Sequence, residues 1–424
     1  MTAFAGLRCI RCGREFDDGP ASLAGCPACA TEKSRSNGTC VYDYDALKGR
    51  FPHEAVAAGQ RGLWRWDALL PVSRRAAVTL GEGDTPLLRC DGLARAWGLK
   101  ELYVKDETRN PTWSYKDRLC SVAISVARQK GARVIVVSST GNHGAAAAAY
   151  AARAGLRCVV LTTVSVPTTM KTLMQSYGAA VVALPTLEDR WAVMAQAAQR
   201  FGWFPVSNGF YPPVGSVPYG IEGYKTIAFE IAEQFDWQVP DFVIVPTAFG
   251  DGLYGTWKGF WELRRLGVTQ AAPRMVAAEP FGPLAAALER GLEEGEPVPG
   301  GQTVAFSIGG THSTHQALAA LKESDGLAVT ADDDAIMWAQ AELARHEGLY
   351  VEASSACALA ALHNGLQAGR IDPGSRIVAV LTSSGLKDPA ATARRLPPVP
   401  ESGPALAQVM EVLRETYGFD AEGA

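Results

Sequence analysis

Residues 134–161 read VIVVSSTGNHGAAAAAYAARAGLRCVVL, and three registers follow one another in them. Val134–Val137 is an apolar, β-branched run without polar alternation, which predicts a strand covered on both faces. Ser138–Gly144 changes to small hydroxyls, an amide and two glycines, the composition of a loop. Ala145–Ala154 is alanine-rich and helical in pattern, and Cys158–Leu161 returns to an apolar strand.

The same alternation extends in both directions. Upstream, Leu102–Lys105 predicts a strand and Asp117–Lys130 a helix. Downstream, Met170–Tyr177 and Thr186–Arg200 are helical in pattern, and strand Phe242–Pro246 enters a glycine-rich turn before a helix over Leu253–Leu266. Met275–Ala278, Leu327–Val329 and Ile377–Leu381 are further apolar strands. Uniformly apolar strands alternating with helices predict an α/β protein built on parallel sheets.

At 424 residues the chain exceeds what one core usually holds, so two domains and an appendage are expected. A 47% hydrophobic and 20% charged composition is that of a folded enzyme rather than a disordered chain. With Lys+Arg 40 against Asp+Glu 44, the net charge of −4 argues against a global grip on nucleic acid or anionic membrane. No basic-then-apolar leader is visible in the first residues. The longest apolar stretch, around Ala145–Val164, is interrupted by Arg153 and Arg157, so neither a signal peptide nor a membrane span is expected. The expected location is the cytoplasm.

The cysteines are distributed unevenly. Cys9-x2-Cys12 and Cys26-x2-Cys29, with thirteen residues between the pairs, have the spacing of a two-knuckle zinc ribbon. Cys40, Cys90, Cys120, Cys158 and Cys357 lack such a pattern, which speaks against a disulfide framework and for a reducing compartment. Arg8, Arg11 and Arg14 flank the ribbon, but so do Glu15, Asp17 and Asp18, so a nucleic-acid role is not expected.

Four segments lie at the C-terminal ends of predicted strands, where open α/β sheets bind ligands. Lys105–Arg118 ends with Lys116 on the first turn of a helix. The positive end of the helix dipole there disfavours the ammonium form, an arrangement useful to a Schiff-base lysine. Ser138–Gly144 suits a carboxylate or phosphate at a helix N-terminus, with His143 either a base or a packing residue. Pro246–Gly255 contains three glycines and forms an anion cradle. It is neither a P-loop nor a dinucleotide fingerprint, which leaves the phosphate of something smaller. Leu381–Asp388 offers a neutral hydroxyl, Thr382, suited to a ring nitrogen.

Together these segments resemble the fold-type II pyridoxal-phosphate enzymes, and within them the threonine synthase family most closely. The lysine segment is similar to that family's Lys-x-Glu-x-x-Asn-Pro-Thr-x-Ser-(Phe/Tyr)-Lys-Asp-Arg. Leu80–Leu87 resembles its entrance strand, Ser139–Asn142 its asparagine loop, Ile221–Glu230 its hinge-region helix and Leu381–Pro389 its ring-nitrogen segment. The resemblance runs from about residue 78 to 395, and a ribbon-like N-terminus also occurs in some relatives. It implies two open twisted sheet domains with a zinc-ribbon-like appendage. The expected divisions are 1–40 for the ribbon, 41–75 for an extension, 76–118 plus 219–400 for a large cofactor-binding domain, 119–218 for a small domain and 401–424 for a C-terminal helix.

The resemblance also implies site residues. Lys116 would hold pyridoxal 5'-phosphate and act as the catalytic acid/base. Asn142 would hydrogen-bond the ring's 3′-oxygen. Ala248, Phe249, Gly250, Asp251 and Gly252 would cradle the phosphate, and Thr382 would meet the ring nitrogen. Ser139, Thr140, Gly141 and His143 would face the substrate, and Cys9, Cys12, Cys26 and Cys29 would hold a structural zinc.

The implied activity is conversion of O-phosphohomoserine to threonine and phosphate, with Lys105, Arg118 and Lys225 as the cations offered to the leaving phosphate. The alternative is β-elimination or β-replacement on a hydroxy- or phospho-amino acid, as in threonine/serine dehydratases, diaminopropionate ammonia-lyase or cysteate synthase. A catalytically silent binding protein is a further alternative. The implied partner is a small amino-acid substrate, and the implied assembly a homodimer.

The sequence departs from the family pattern in several places. Trp113 stands where glycine is usual and is expected to crowd the cofactor entrance. His143 replaces a small hydroxylic residue, and Asp251 brings a negative charge to the cradle. Ser383-Ser384 replaces a Gly-His pair. Gly220 occupies a position where synthases commonly carry an arginine, which weakens the case for a phosphorylated substrate.

Overall fold

The computed structural model describes residues 2–16, 24–57 and 59–419. Asp17 and Asp18, two of the acids expected to flank the ribbon, lie outside the described residues. Residues up to Asp388 form one compact unit, and those from Pro389 onward form a second. The second unit holds a short helix, Pro389–Ala393, and an amphipathic helix, Leu406–Tyr417.

The first unit contains three sheets. A small antiparallel one is made by β1 (Phe4–Cys9), β2 (Glu15–Phe16) and β3 (Gly38–Tyr42), in the order β2-β1-β3. Six further strands form the largest sheet and four the other. In chain order they are β4 (Leu87–Arg89), β5 (Glu101–Asp106), β6 (Val134–Ser138), β7 (Arg157–Thr163), β8 (Ala180–Leu184), β9 (Phe204–Pro205), β10 (Phe242–Pro246), β11 (Arg274–Glu279), β12 (Leu327–Thr330) and β13 (Arg376–Leu381). The six-stranded order is β12-β11-β10-β13-β5-β4, and the four-stranded order is β8-β7-β6-β9.

Parallel pairing is the rule in both, as the apolar strands predict. In the large sheet Val243 pairs with Met275 and Val378, and in the small one Val136 pairs with Val159 and Pro205. The exception is β4, which runs antiparallel to β5 at the sheet edge. The strand there begins at Leu87; residues 80–86, expected as an entrance strand, form a loop. Strand β8 and the helices Asp333–Glu347 and Ala353–Gln367 were not expected. Strand β8 lies at an edge and is largely exposed, while Ala353–Leu362 is buried all round and so lacks a polar face to mark its period.

The central strands owe their place to burial. Every residue of β10 is buried, and so are five of the six in β13. Between the sheets run the helices Lys116–Gln129, Asn142–Ala154, Pro218–Gln234 and Asp251–Arg265. Small residues bring these helices close together. A Cβ at Gly223 would collide with the carbonyl oxygen of Arg118, so only glycine permits that crossing. The close crossing carries a network of buried charges. Arg118 is fully buried and binds Glu107 (2.6 Å) and Glu230 (2.6 Å), while Lys105 binds Glu230 at 2.8 Å. Lys225 pairs with Glu222 (2.6 Å) and Glu262 (2.9 Å).

Candidate active site

The C-terminal ends of β6, β10 and β13 and the start of helix Lys116–Gln129 open on one cavity of about 200 Å³. Its wall contains Lys116, Ser139, Thr140, Gly141, Asn142, His143, the turn Ala248–Gly252 and Thr382. All the cofactor- and substrate-facing residues expected from the sequence therefore meet in one place, although they come from both large sheets.

Lys116 begins its helix immediately after Tyr115, and its Nζ lies over the rings of Tyr115 (4.8 Å) and Tyr224 (5.5 Å). It forms no ion pair among the described residues, so the amine faces the cavity without a competing carboxylate. In the same wall, Gly250 caps the N-terminus of helix Asp251–Arg265 at φ +80°, a left-handed conformation that glycine adopts without strain. A Cβ at Gly250 would strike Ala317, and one at Gly252 would lie 2.8 Å from the Tyr115 ring. The first-turn N–H groups of a helix have no intrahelical acceptor, so this turn is a ready anion site.

The Asp251 carboxylate is held within the cradle by neutral donors. It accepts from Ser216 N (2.9 Å), Ser216 Oγ (2.6 Å) and Gln316 Nε2 (2.7 Å). The Phe249 carbonyl is held as well, by Thr314 Oγ1 and Gln316 Nε2, each at 2.8 Å.

Thr382 is buried and its Oγ1 lies 2.9 Å from Ser355 Oγ, a pair of neutral hydroxyls. The Ser139 hydroxyl accepts from Gly141 N (3.1 Å) and Gly144 N (2.8 Å). It thus caps the asparagine helix and keeps its own proton available to a carboxylate. His143 is buried with Nε2 unpaired among the described residues. Burial, and then the Lys116 charge, hold it well below the ordinary histidine range, so its ring is neutral at pH 7.

Asn142 donates from Nδ2 to both oxygens of Glu352 (2.9 and 3.0 Å), and its Oδ1 accepts from Lys387 Nζ (2.8 Å) and Ser383 Oγ (3.1 Å). Burial pushes Glu352 above the usual carboxylate range against the pull of Asn142 and Lys387. Burial also pushes Lys387 down to about 8, with Asp117 and Glu352 opposing. Glu352, Ser355 and Lys387 were missed in the sequence. Glu352 and Ser355 lie at the start of a uniformly buried helix, and nothing in their local pattern points to the β6 loop.

Three sequence expectations are corrected. Lys105, Arg118 and Lys225, offered to a leaving phosphate, are absent from the cavity wall and are saturated by buried carboxylates. Gly220 also lies away from the wall: a Cβ there would sit 2.9 Å from Leu119 Cγ and 3.2 Å from Ala123, in a helix crossing. Trp113 does not crowd the cavity. It is 49% exposed and lines a separate groove with Leu173 and Leu386.

The four ribbon cysteines do converge. Their Sγ atoms all lie within 4.8 Å of one another, with Cys9–Cys29 and Cys12–Cys26 both at 3.8 Å. Tetrahedral zinc with Zn–S bonds of about 2.3 Å separates sulfurs by about 3.8 Å, so the donor set fits that ion. Arg8 and Arg11, the basic flank, pair with Glu15 and Glu294. No helix among the described residues is long and apolar enough to cross a membrane.

The family model for pyridoxal-phosphate dependent enzymes matches residues 78–383. The chain is 36% identical over 396 residues to the threonine synthase of Methanocaldococcus jannaschii, covering 91% of this chain and 94% of that one. It is 35% identical over 391 residues to the threonine synthase of Methanosarcina acetivorans, covering 90% and 92%. Among solved structures, an L-serine ammonia-lyase from the fungus Rhizomucor miehei aligns with a TM-score of 0.63 at 19% identity, over 74% of this chain and 97% of that one, a likeness of fold. On these matches the chain belongs to the pyridoxal-phosphate-dependent enzymes of fold type II and, within them, to the threonine synthase family.

Proposed function

We propose that this chain is a carbon–oxygen lyase that converts O-phosphohomoserine and water to threonine and phosphate. The observation that carries the reading is the meeting, in one cavity, of an amine without an ion pair at Lys116, a helix-terminal cradle at Gly250–Gly252 and a neutral hydroxyl pair at Thr382 and Ser355. The threonine synthase relatives, matched over nearly their whole length, support the substrate.

When bound, pyridoxal 5'-phosphate withdraws electrons from the substrate's α-carbon and so acidifies the protons near it. The chain's own residues do the rest. The first-turn N–H groups of helix Asp251–Arg265 hold the cofactor's phosphate. Thr382, paired with Ser355, offers the ring nitrogen a hydroxyl and no carboxylate, which moderates the electron sink and favours elimination chemistry. Ser139, Thr140 and the Gly141 N–H bind the substrate carboxylate. Lys116 Nζ takes and returns the α- and β-protons as general acid/base. Neutral His143 packs beside Lys116 without adding a second cation. The cysteine cluster holds one structural zinc.

The test is a panel of O-phosphohomoserine, L-threonine and O-phosphoserine, assayed in parallel for phosphate, 2-oxo acid and new amino acid. Threonine and phosphate from the first substrate support the reading. Ammonia and 2-oxobutyrate from L-threonine, with no threonine formed, replace it by a dehydratase. Lys116→Ala is expected to remove a borohydride-sensitive visible band and to lower turnover by about 10³-fold or more.

A further inference from the structure

Helix Leu187–Phe201 brings Arg190 into the wall of the cavity that contains Lys116. The residue is 3% exposed, and its Nε and Nη1 are buried without a hydrogen-bond partner among the described residues. Burial holds its pKa down, to about 10, with Glu188 acting weakly the other way, so it remains a cation at neutral pH. A buried guanidinium that keeps its charge and has no partner is strongly unfavourable unless an anion joins it.

The other charges on the wall do not supply that anion. Asp251 is taken by Ser216 and Gln316, and Glu352 by Asn142. Lys116 is the only other lysine or arginine there among the described residues. The anion must therefore arrive with a ligand. Two ligand phosphates are available in principle, one on the cofactor and one on the substrate, and the architecture separates them. The cradle belongs to the large sheet. Arg190 and the Ser139–Gly141 loop both belong to the four-stranded sheet, on which helix Leu187–Phe201 packs.

We propose that Arg190 binds the phosphate ester at the distal end of the amino-acid substrate. This rests on the phosphorylated-substrate reading above. The substrate is then held at both anionic ends by one sheet, its carboxylate by the β6 loop and its phosphate by a guanidinium whose paired N–H groups match phosphate oxygens. Arg190 left no sequence signal because it sits among ordinary charges, Glu188, Asp189 and Arg200, on an amphipathic helix.

The experiment is calorimetric titration of the holoenzyme with L-2-amino-5-phosphonopentanoate, the methylene isostere of O-phosphohomoserine, and with L-2-aminopentanoate, which lacks the phosphonate. Wild type, Arg190→Gln and Arg190→Lys are compared, with the cofactor's visible band followed on dilution. Wild type is expected to prefer the phosphonate. Arg190→Gln weakens phosphonate binding by about 30-fold or more, while aminopentanoate binding and cofactor retention stay within about twofold. Arg190→Lys recovers part of the loss. The unchanged aminopentanoate affinity shows that the variant is folded.

Unchanged phosphonate binding in Arg190→Gln overturns the role of Arg190 while a threonine-forming wild type leaves the proposed reaction standing. Loss of cofactor retention also overturns it, by moving the arginine to the cofactor's phosphate. A wild type that does not prefer the phosphonate over aminopentanoate overturns both.

Discussion

Trp113 stands at φ +58° with 49% of its surface exposed, in a conformation that costs a non-glycine residue about 1–2 kcal/mol. The family's usual glycine at this place is explained by the backbone rather than by room for a cofactor. Trp113→Gly is therefore expected to leave the melting temperature unchanged or slightly raised, as relief of strain offsets the added freedom of the unfolded chain. Its kcat and KM should stay within about twofold; a fivefold rise in KM would show that the indole reaches the cavity after all. Residue chemistry was legible where it was contiguous. Lys116, the Ser139–Asn142 loop, the Ala248–Gly252 turn and Thr382 each follow a strand, and strand ends are visible in sequence. Lys105 and Arg118 misled because charge alone does not reveal a partner such as Glu230, more than a hundred positions away.

At the scale of elements, the crossing of helices Lys116–Gln129 and Pro218–Gln234 combines glycine contacts with buried charge. Gly220→Arg must drive a long side chain between Leu119 and Ala123. A loss of about 1–3 kcal/mol or more from overpacking is expected, read as a shift in urea midpoint, with no gain in phosphonate affinity. Glu230 lies at the centre of the charges, accepting from Arg118 Nη1 and Nη2 and from Lys105 Nζ. Burial alone would raise its pKa, but Arg118 and Lys105 overcome this and hold it well below the usual carboxylate range. A depressed folded pKa contributes stability that is complete above the unfolded value, about 4.3, and is lost as pH falls toward the folded one. Glu230→Gln should thus cost about 3–5 kcal/mol at pH 7, and the gap from wild type should narrow below about pH 4. A gap independent of pH, measured by urea unfolding at both values, would mean that Glu230 is not ionised in the fold. Both the fold class and the placement of the chemistry-bearing loops after predicted strands could be anticipated at this scale, because apolar strands and helical periods are local. The edge strand β8 and the uniformly buried helix Ala353–Gln367 could not, since neither has the two-faced pattern on which periodicity depends.

At the scale of the molecule, the ribbon is joined to the cavity through a chain of contacts. Asn37 donates to Ser216 O (2.9 Å) and Gln316 Oε1 (3.0 Å), and Ser216 and Gln316 in turn bind Asp251 at the cradle. Arg11 and Ser34 bind Glu294, and Lys33 pairs with Glu293 and Glu296 at 2.8 Å each, just ahead of the segment whose Phe306–Gly310 lines the cavity. Removing the ribbon metal with a chelator is therefore expected to lower the unfolding temperature and to loosen cofactor retention by a few-fold. Retention identical in chelated and metal-loaded protein would confine the ribbon to a separate structural role. These links join residues far apart in the chain, and no spacing rule in the sequence marks them.

The central claim, carbon–oxygen cleavage of a phosphorylated amino acid, is tested most directly by turnover of O-phosphohomoserine in water enriched in oxygen-18. Elimination breaks the Cγ–O bond and adds water at Cβ, so threonine and phosphate should appear in equal amounts, with one heavy oxygen in threonine and none in the phosphate. Heavy oxygen in the phosphate, with homoserine as the other product, would mean hydrolysis at phosphorus and would contradict the account.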